Sequence, residues 1–443
     1  MSSEWKMISL GDCIELTTGF PFKSSEYSND IDSVRLLRGD NIGQGTLRWD
    51  GVKKWPASKV AGLENYELME SDVVLAMDRP WIPVGLKFGR VTKEDLPALL
   101  VQRVARLRPT QRIYGDYLYS IIASRGFSEY IQNIATGTAV PHISATQIKS
   151  YSFQLPDIET QKRVGQLHAS LDDRITLLRE TNKTLESIAH AIFKSWFVDF
   201  DPVRAKMEGR QPEGMNEETA ALFPDSFEDS ELGSIPIGWQ VMLIGDAVDT
   251  VGGATPDTKN PDFWDPPVHC WTTPKDLSGI TAPILLDTER KLSPEGIKKV
   301  SSGLLPEGTL LLSSRAPIGY LALTQIPVAI NQGYIAMLPG GVLPPLYLHF
   351  WCKQNMENIK GRANGSTFME ISKKAFRPIP ILVPSPELIQ RFANTANALF
   401  ERLSENERQA QTLSAIRDTL LPRLISGQLR LPEAQEQIEN ALQ

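Results

Sequence analysis

The sequence predicts an α+β or α/β protein made of two similar globular domains, which two long antiparallel coiled-coil helices separate in a pseudo-two-fold internal repeat. The first observation is length: 443 residues, at roughly 150 residues per domain, favour about three domains over one core. The second is that the chain contains two similar halves. The third is a long heptad pattern at the end of each half, which is typical of coiled-coil helices.

The internal repeat is visible as matched segments. Near its start the chain has WKMISLGDCIELTTG, and 234 positions later it has WQVMLIGDAVDTVGG. Further along, SDVVLAMDRPWIPVG corresponds to EGTLLLSSRAPIG, and this alignment matches Arg79 with Arg315. The segment ATGTAVPHIS then corresponds to ANGSTFMEIS at an offset of 228. Because no shorter period is present, the repeat predicts duplicated domains and not a solenoid.

Each copy is predicted to be a globular block followed by a long helix. Short apolar runs such as VRLLRG, DVVLAM and GTLLLSS, separated by Gly, Pro and Asn turns, indicate strands. The run DYLYSIIASRGFSEYIQNI indicates a helical patch. The predicted domains are residues 1–155 (first globular domain), 156–198 (central helix), 199–235 (linker), 236–384 (second globular domain) and 385–443 (C-terminal helix and tail).

The two long helices carry similar apolar seams. The seam residues are Val164, Leu171, Leu178, Asn182, Leu185 and Ile192 in the first helix, and Phe392, Leu399, Asn406, Leu413 and Leu420 in the second. An antiparallel register in which facing residue numbers sum to 588 places Asn182 opposite Asn406. The alternative is that each seam only covers its own domain. We disfavour it because a helix of about 40 residues would be about 60 Å long and would outrun such a domain.

The net negative charge of the chain is concentrated in the linker. It has 10 acidic and 3 basic side chains, whereas each globular domain has one more basic than acidic side chain. The linker contains Pro202, Pro212 and Pro224 and shows no helical or strand period, so we expect an exposed connector. The net charge of −7 for the whole chain therefore does not exclude a nucleic-acid partner.

The sequence contains no recognisable catalytic motif. It has no GxxxxGK[ST] phosphate loop, no HExxH zinc motif and no cluster of carboxylates near a lysine that would suit a metal-dependent nuclease. The segment DPPV at Asp265 is similar to the (D/N/S)PP-aromatic loop of amino-methyltransferases, but it lacks the aromatic residue. We therefore expect a non-catalytic subunit that binds no cofactor or metal itself.

The chain is also expected to be cytoplasmic and to have no membrane partner. No apolar run approaches the roughly 18 residues that span a bilayer, and the first residues lack the features of a signal peptide. Three cysteines lie far apart without a CxxC pair, so the sequence indicates neither a disulfide framework nor a zinc site.

Basic and amide side chains in polar, Gly-rich loops indicate DNA binding. Arg and Lys can bind guanine edges or phosphates, Asn can bind adenine, and Thr can contact the thymine methyl group. The predicted DNA contacts are Arg38, Asn41, Lys53, Lys54, Arg79, Thr138, His142 and Lys149 in the first domain, and Lys259, Thr273, Lys275, Arg315, Asn364, Ser366, Lys373 and Lys374 in the second. The alternative for each is an ordinary surface position. Arg79 and Arg315 are favoured because they recur at matching places, although a shared structural salt bridge would recur too.

Several segments together resemble the specificity subunits of Type I restriction-modification systems over essentially the whole chain. They are the repeated openings around Trp5 and Trp239, IPIGW, WTTPKDLSG, SSRAPIGYLA with INQGY, LPDIETQKRV, IFKSWFVDFDPVRAKMEG and LLPRLISGQLRLP. The resemblance implies two target-recognition domains, each for one half of a bipartite, asymmetric double-stranded DNA target. It also implies helices that set the spacing and dock two methyltransferase (modification) subunits, which methylate DNA for host defence. Restriction/translocase subunits would join the full complex, and S-adenosylmethionine, ATP and Mg would be bound by these partners.

Two other functions stay open from the residues alone. One is a stand-alone two-domain DNA-binding adaptor without enzymatic partners. The other is an enzyme whose site is assembled around DPPV. Co-purification of a methyltransferase subunit favours the specificity subunit, whereas S-adenosylmethionine binding by the isolated chain favours the enzyme.

Overall fold

A computed structural model describes most of the chain. The described residues are 5–82, 85–135, 141–365 and 369–442. The chain divides into two compact units, which are residues 1–177 with 409–443, and residues 178–408. Each unit therefore contains one globular block and a part of both long helices. No helix in the described ranges is long and apolar enough to cross a membrane.

The first globular block is built around a four-stranded antiparallel sheet. The strands are β1 (Lys6–Ser9), β2 (Ile14–Thr18), β3 (Val34–Leu37), β4 (Lys54–Trp55), β5 (Val73–Ala76), β6 (Trp81–Ile82), β7 (Gly85–Leu86), β8 (Phe88–Arg90), β9 (Ala98–Leu100), β10 (Val104–Pro109) and β11 (Ser152–Leu155). The helices are α1 (Gly115–Ala123), α2 (Arg125–Ile134) and α3 (Ala145–Lys149). The main sheet has the order β2-β10-β5-β8, β4-β3-β9 form a second sheet, and β1 pairs with β11.

The central helix and the linker follow. Helix α4 (Ile158–Phe197) is 40 residues long. The linker contains α5 (Asp201–Met207), α6 (Glu217–Ala221) and an antiparallel hairpin of β12 (Phe227–Ser230) and β13 (Gly233–Pro236). The expectation of an exposed connector is wrong for part of this segment, because Val203, Phe223 and Ile235 are buried in the core of the second unit. These scattered apolar residues pack against neighbouring elements without forming a periodic pattern.

The second globular block repeats the first. Its strands are β14 (Gln240–Leu243), β15 (Thr250–Val251), β16 (His269–Thr272), β17 (Ile284–Leu285), β18 (Arg290–Leu292), β19 (Leu310–Ser313), β20 (Leu321–Thr324), β21 (Ala329–Ile330), β22 (Tyr334–Met337) and β23 (Pro380–Val383). Its helices are α7 (Ile244–Ala247), α8 (Pro274–Leu277), α9 (Pro294–Ile297), α10 (Pro345–Gln354), α11 (Met356–Gly361) and α12 (Lys373–Phe376). The chain ends in α13 (Pro386–Ile425) and α14 (Leu431–Leu442).

The two blocks share a common strand order, to which the second adds a fifth strand, β17, beside β20 in its main sheet, and this shared order confirms the predicted duplication. In the first block β10 lies between β2 and β5, and in the second β22 lies between β15 and β19. The parallel pair β3 and β9 corresponds to the parallel pair β16 and β21. The pair β1 and β11 corresponds to β14 and β23.

Two of the repeated glycines are explained by a close approach of the backbone. A Cβ atom on Gly19 would fall on the carbonyl of Val101, and one on Gly253 would fall on the carbonyl of Ile330. No side chain fits at either position. The same glycine in both copies therefore lets the main sheet run directly past the neighbouring small sheet.

The predicted helical patch DYLYSIIASRGFSEYIQNI forms two helices in the structure. They meet at Ser124, which has an extended backbone conformation and begins α2. Its hydroxyl accepts a hydrogen bond from the backbone N–H of Phe127 at 3.2 Å. Serine is a favourable N-cap, so this residue ends one helix and starts the next.

The long helices pack antiparallel within each unit. In the second unit the Nδ2 atom of Asn406 donates to the Oδ1 atom of Asn182 at 3.0 Å, and the rings of Trp196 and Phe392 lie 6.2 Å apart. Both pairs have residue numbers that sum to 588, so the predicted register is confirmed. The buried seam residues are Val164, Leu171, Leu178, Asn182, Phe392, Asn406, Leu413 and Leu420, and the partly buried ones are Leu185, Ile192 and Leu399.

In the first unit, a buried polar network attaches the globular block to the long helices. The carboxylate of Asp172 on α4 accepts hydrogen bonds from Tyr119 at 2.5 Å and from Arg417 at 2.6 Å. Nε2 of His168, one turn earlier on α4, lies 3.6 Å from the same carboxylate. Burial lowers the pKa of His168 to about 4, so this imidazole is neutral at pH 7.

The second unit has an analogous attachment with different residues. Glu186 on α4 accepts a hydrogen bond from Lys353 at 2.6 Å and lies 3.6 Å from the buried ring of His349. Burial alone would raise the pKa of Glu186, but the neighbouring His349 and Lys353 outweigh it and lower this pKa to about 2. The carboxylate is therefore charged at neutral pH and holds α10 against α4.

Candidate nucleic-acid interface

In the first unit, three segments that are distant in sequence converge at the end of β5. The backbone N–H of Met77 donates to the carbonyl of Arg103 at 2.9 Å, and that of Ile143 donates to the carbonyl of Met77 at 2.9 Å. Arg79 continues the contact by donating to the carbonyl of Pro141 at 2.9 Å. We call the side chains that these segments present, Asp78, Arg103 and His142, the first cluster.

The first cluster is centred on a carboxylate. Asp78 forms an ion pair with the guanidinium of Arg103 at 3.0 Å, and its other oxygen contacts Nδ1 of His142. The side chain of Asp78 is 21% exposed, whereas that of Arg103 is 70% exposed. The carboxylate therefore holds one end of the guanidinium, and most of the arginine side chain faces solvent.

The second unit repeats this backbone arrangement. The N–H of Ser314 donates to the carbonyl of Gly333 at 2.8 Å, and that of Ile371 donates to the carbonyl of Ser314 at 3.0 Å. Arg315 follows Ser314 and forms an ion pair with Glu370 at 3.6 Å. We call Arg315 and Glu370 the second cluster.

These hydrogen bonds correct the predicted match of Arg79 with Arg315. Met77 occupies the position of Ser314, so Asp78 is equivalent to Arg315 and Arg79 is equivalent to Ala316. The backbone agrees, because Arg79 has φ = 44° and Ala316 has φ = 49°. A non-glycine residue with positive φ is strained, and its recurrence at the same place in both units is typical of a functional loop.

The loop that follows β3 carries further predicted residues. Arg38 pairs with Asp40 at 3.3 Å, and the side chain of Asn41 accepts from the backbone N–H of Arg38 at 3.1 Å, so Asn41 shapes the loop. Lys87 lies beside this loop and was not among the predicted residues. Burial lowers the pKa of Lys87, and the charges of Arg48 and Arg79 act in the same direction, against that of Asp40.

The second cluster also has polar neighbours on adjacent loops. Asn364 joins Glu370 through two backbone hydrogen bonds of 3.0 Å. Gln332, which precedes Gly333, accepts a hydrogen bond from the hydroxyl of Thr255 at 2.6 Å. Neither Gln332 nor Thr255 was predicted, although the equivalent position of the first unit also carries a glutamine within VQRVARLRP, next to the INQGY match.

Predicted residues on the neighbouring loops have partly structural roles. Thr273 caps α8 together with Asp276, and Lys275 pairs with Glu289 at 2.9 Å. Lys373 lies on α12 next to Gly252, and Lys374 follows it as an exposed side chain.

The remaining predicted residues are not joined to either cluster by the contacts in the described ranges. Lys53 and Lys54 lie at β4, where Lys54 pairs in register with Arg35. Lys149 packs against Gly11, and Lys259 is exposed in a loop. Two further predicted contacts, Thr138 and Ser366, lie outside the described residues.

The two clusters consist of guanidinium, imidazole and carboxylate groups on loops that neighbouring strands hold in place. Within the described ranges, no group of three or more His, Cys, Asp or Glu side chains is arranged to hold a metal ion.

A family model for the Type I restriction modification DNA specificity domain matches residues 2–187 and again residues 236–412. The chain belongs to this family. The two matches cover the two halves of the repeat, so this Type I specificity subunit has two recognition domains.

Similar proteins agree with the family. The specificity subunit of the Type I restriction enzyme HindI of Haemophilus influenzae is 28% identical over 475 residues, which include 96% of this chain and 100% of that protein. The MjaIX specificity subunit of Methanocaldococcus jannaschii is 37% identical over 185 residues, 41% of this chain and 42% of that protein. A crystal structure of the S subunit from M. genitalium shares the fold of this specificity subunit. The superposition covers 95% of this chain and 96% of that chain, with a TM-score of 0.55 and 15% sequence identity.

Proposed function

We propose that each recognition domain of this specificity subunit binds one half of a bipartite, asymmetric double-stranded DNA target, and that the first and second clusters form part of the DNA-binding surface. One observation carries the proposal. The two domains build the same strand-and-loop arrangement but place different side chains on it, Asp78, Arg103 and His142 in one and Arg315 and Glu370 in the other. A shared scaffold with different contacting groups suits two half-sites that differ in sequence.

The neighbouring residues supply the contacts that position the DNA. Lys373, Lys374 and Arg79 are exposed and have no carboxylate partner within ion-pair distance among the described residues. Phosphate contacts of this kind fix the register of a protein on the duplex, and base contacts then specify the sequence. The amides of Gln332 and Asn364 are suited to base edges.

The long helices have two roles in this proposal. Each of α4 and α13 has 40 residues, which corresponds to about 60 Å at 1.5 Å per residue. A fixed helical length determines how many base pairs remain unread between the half-sites. Ile158 and Ile188 on α4 are exposed apolar side chains, 47% and 44%, and they offer docking positions for modification subunits.

The partners supply the chemistry. We propose that two methyltransferase subunits bind S-adenosylmethionine and methylate one adenine in each half-site, and that restriction/translocase subunits with ATP and Mg join in the cytoplasm. The chain itself contributes recognition, spacing and docking, and no catalytic group.

Reconstitution tests this division of labour. The full chain is purified alone and with co-expressed modification subunits, and both samples are titrated with S-adenosylmethionine and with DNA from the host genome. We expect cofactor binding and methylation only with the partners. Cofactor binding by the isolated chain contradicts the proposal, and DNA binding without any co-purifying methyltransferase indicates a stand-alone adaptor.

A further inference from the structure

Both clusters pair an arginine with a carboxylate, but the arginine comes from a different segment of the shared scaffold in each domain. In the first domain Arg103 lies in the turn between β9 and β10, and its carboxylate partner Asp78 follows β5. In the second domain Arg315 follows β19, and its partner Glu370 lies in the segment before α12. The guanidinium is therefore present in both domains at different positions of the scaffold.

Each arginine position of one domain carries a different residue in the other domain. The position of Arg103 is occupied in the second domain by Gly333, which has no side chain. The position of Arg315 is occupied in the first domain by Asp78. Neither domain has an arginine at both positions, so each cluster presents one guanidinium in an ion pair with a carboxylate, at 3.0 Å for Arg103 and at 3.6 Å for Arg315.

The geometry suits a base contact better than a phosphate contact. A guanidinium has five N–H donors, and the ion pair of Arg103 with Asp78 involves only Nη1, so the Nη2 and Nε donors have no partner among the described residues. The ion pair restricts the side chain before binding, so less conformational entropy is lost on docking. It also neutralises the charge that would attract a phosphate. Two parallel donors of a fixed arginine match O6 and N7 of guanine in the major groove.

The backbone provides a second, independent observation. Arg103 has φ = 67°, and the residue next to the carboxylate, Arg79, has φ = 44°. Strained non-glycine residues persist where the surrounding structure imposes them, and they are frequent at binding sites. The first cluster therefore combines an exposed guanidinium, paired with a carboxylate, with two loop residues of positive φ.

Building on the proposed function, we propose that Arg103 and Arg315 are the residues that recognise a guanine in the first and the second half-site, respectively, with Asp78 and Glu370 as positioning residues. Because the two arginines start from different segments of the scaffold, the guanine lies at a different place in each half-site. This difference is one physical origin of the asymmetry of the target.

The test uses the complete complex of the chain with its modification subunits. Arg103→Gly is the variant of choice in the first domain, because glycine tolerates the positive φ and already stands at this position in the second. Arg315→Ala is its counterpart. Arg125→Ala and Lys298→Ala are matched controls, since both remove an exposed cation that pairs with a glutamate on its own helix or turn. Methylation rates are measured on oligonucleotides that carry every single-base substitution of each half-site.

We expect Arg103→Gly to lower the preference for guanine at one position of the first half-site, on the order of 10- to 100-fold, and to leave the second half-site unchanged. Arg315→Ala should do the reverse. Asp78→Asn keeps the arginine but removes its ion pair, and should give a smaller loss of the preference for guanine at the same position. Unchanged discrimination in the domain without the substitution also reports that each variant is folded and assembled.

Two results overturn the inference. One is equal weakening on every sequence with a salt slope lower by about one, which identifies a phosphate contact. The other is unaltered discrimination at all positions of the substituted half-site. Failure of the proposed function gives a different result, because the wild-type complex would then show no preference for any bipartite sequence.

Discussion

Asn182 and Asn406 form a hydrogen-bonded pair between the two long helices, in which Nδ2 of Asn406 donates to Oδ1 of Asn182 at 3.0 Å and both side chains are 2% exposed. The positions before and after them along the seams are mainly apolar. A buried amide pair costs stability relative to leucine but penalises every slipped register, because each amide would then meet an apolar side chain. The pair therefore specifies the register that the residue sum of 588 describes.

The first prediction concerns this pair. Asn182→Leu leaves the amide of Asn406 buried without its partner, so the free energy of unfolding should fall by about 1–3 kcal/mol. The double variant Asn182→Leu with Asn406→Leu should recover this loss, and a double-mutant cycle gives the coupling energy of the pair. Urea denaturation measures both. A single variant as stable as the wild type contradicts the assigned role of the pair.

The second prediction concerns a chain that ends near Ser234. Truncation removes α13, so the apolar seam of α4, which includes Leu171 and Leu178, loses its cover. Burial of each such side chain contributes about 1.5–3 kcal/mol, and a second copy of α4 offers an equivalent surface. We expect a two-fold symmetric dimer that selects an inverted repeat of the first half-site. Light scattering and binding-site selection test this, and a soluble monomer or an asymmetric target contradicts it.

The same truncated chain reverses the effect of Asn182→Leu. Leu178 is the repeat equivalent of Asn406, so in an α4 homodimer with the native packing Asn182 would face Leu178. The substitution should therefore stabilise the truncated dimer while it destabilises the full chain. The dimer dissociation constants of the truncated chain with and without Asn182→Leu show whether the substitution stabilises the dimer. A weaker dimer after substitution indicates a different register.

Sequence patterns predicted the long helices well because heptad periodicity is a local property of the chain. They aligned the recognition loops incorrectly by one residue, since the offset between the copies changes inside loops of different length. Arg79 and Arg315 are the same residue type in similar segments, but the backbone hydrogen bonds of Met77 and Ser314 show which residues are structurally equivalent. Ion pairs such as Arg103 with Asp78 join distant segments and leave no periodic trace in the sequence.

The third prediction addresses the phosphate contacts of the second domain. Lys373→Ala and Lys374→Ala should weaken DNA binding by the assembled methyltransferase equally on all sequences, and each should reduce the salt slope by about one. The exposed Lys298, which pairs with Glu295, provides the control Lys298→Ala. DNA affinities measured over a range of salt concentrations give both the affinity and the salt slope of each variant. Unchanged affinity and slope for both variants would remove these lysines from the interface.

The fourth prediction concerns pH and His168. Burial lowers its pKa to about 4, so between roughly pH 6.5 and 4 the unfolded chain binds a proton that the folded chain does not. Stability should therefore decrease as the pH falls through this window. The charges that face the ring belong to Asp172, Arg417, Arg90 and Asp418.

Urea denaturation of the wild type and of His168→Gln at pH 7 and pH 5 isolates this effect, because all other titrating groups are shared. The variant should lose less stability between the two pH values, by about 1–2 kcal/mol. Equal losses in both proteins would show that His168 does not titrate differently on folding.

The central claim is that two domains recognise the two halves of one asymmetric target. Methylome sequencing of a host that carries this chain with its modification subunits tests it most directly. We predict a single motif made of two different half-sites with a gap of constant length, and one methylated adenine in each half. A continuous motif, a palindromic motif or a gap of variable length would contradict the account.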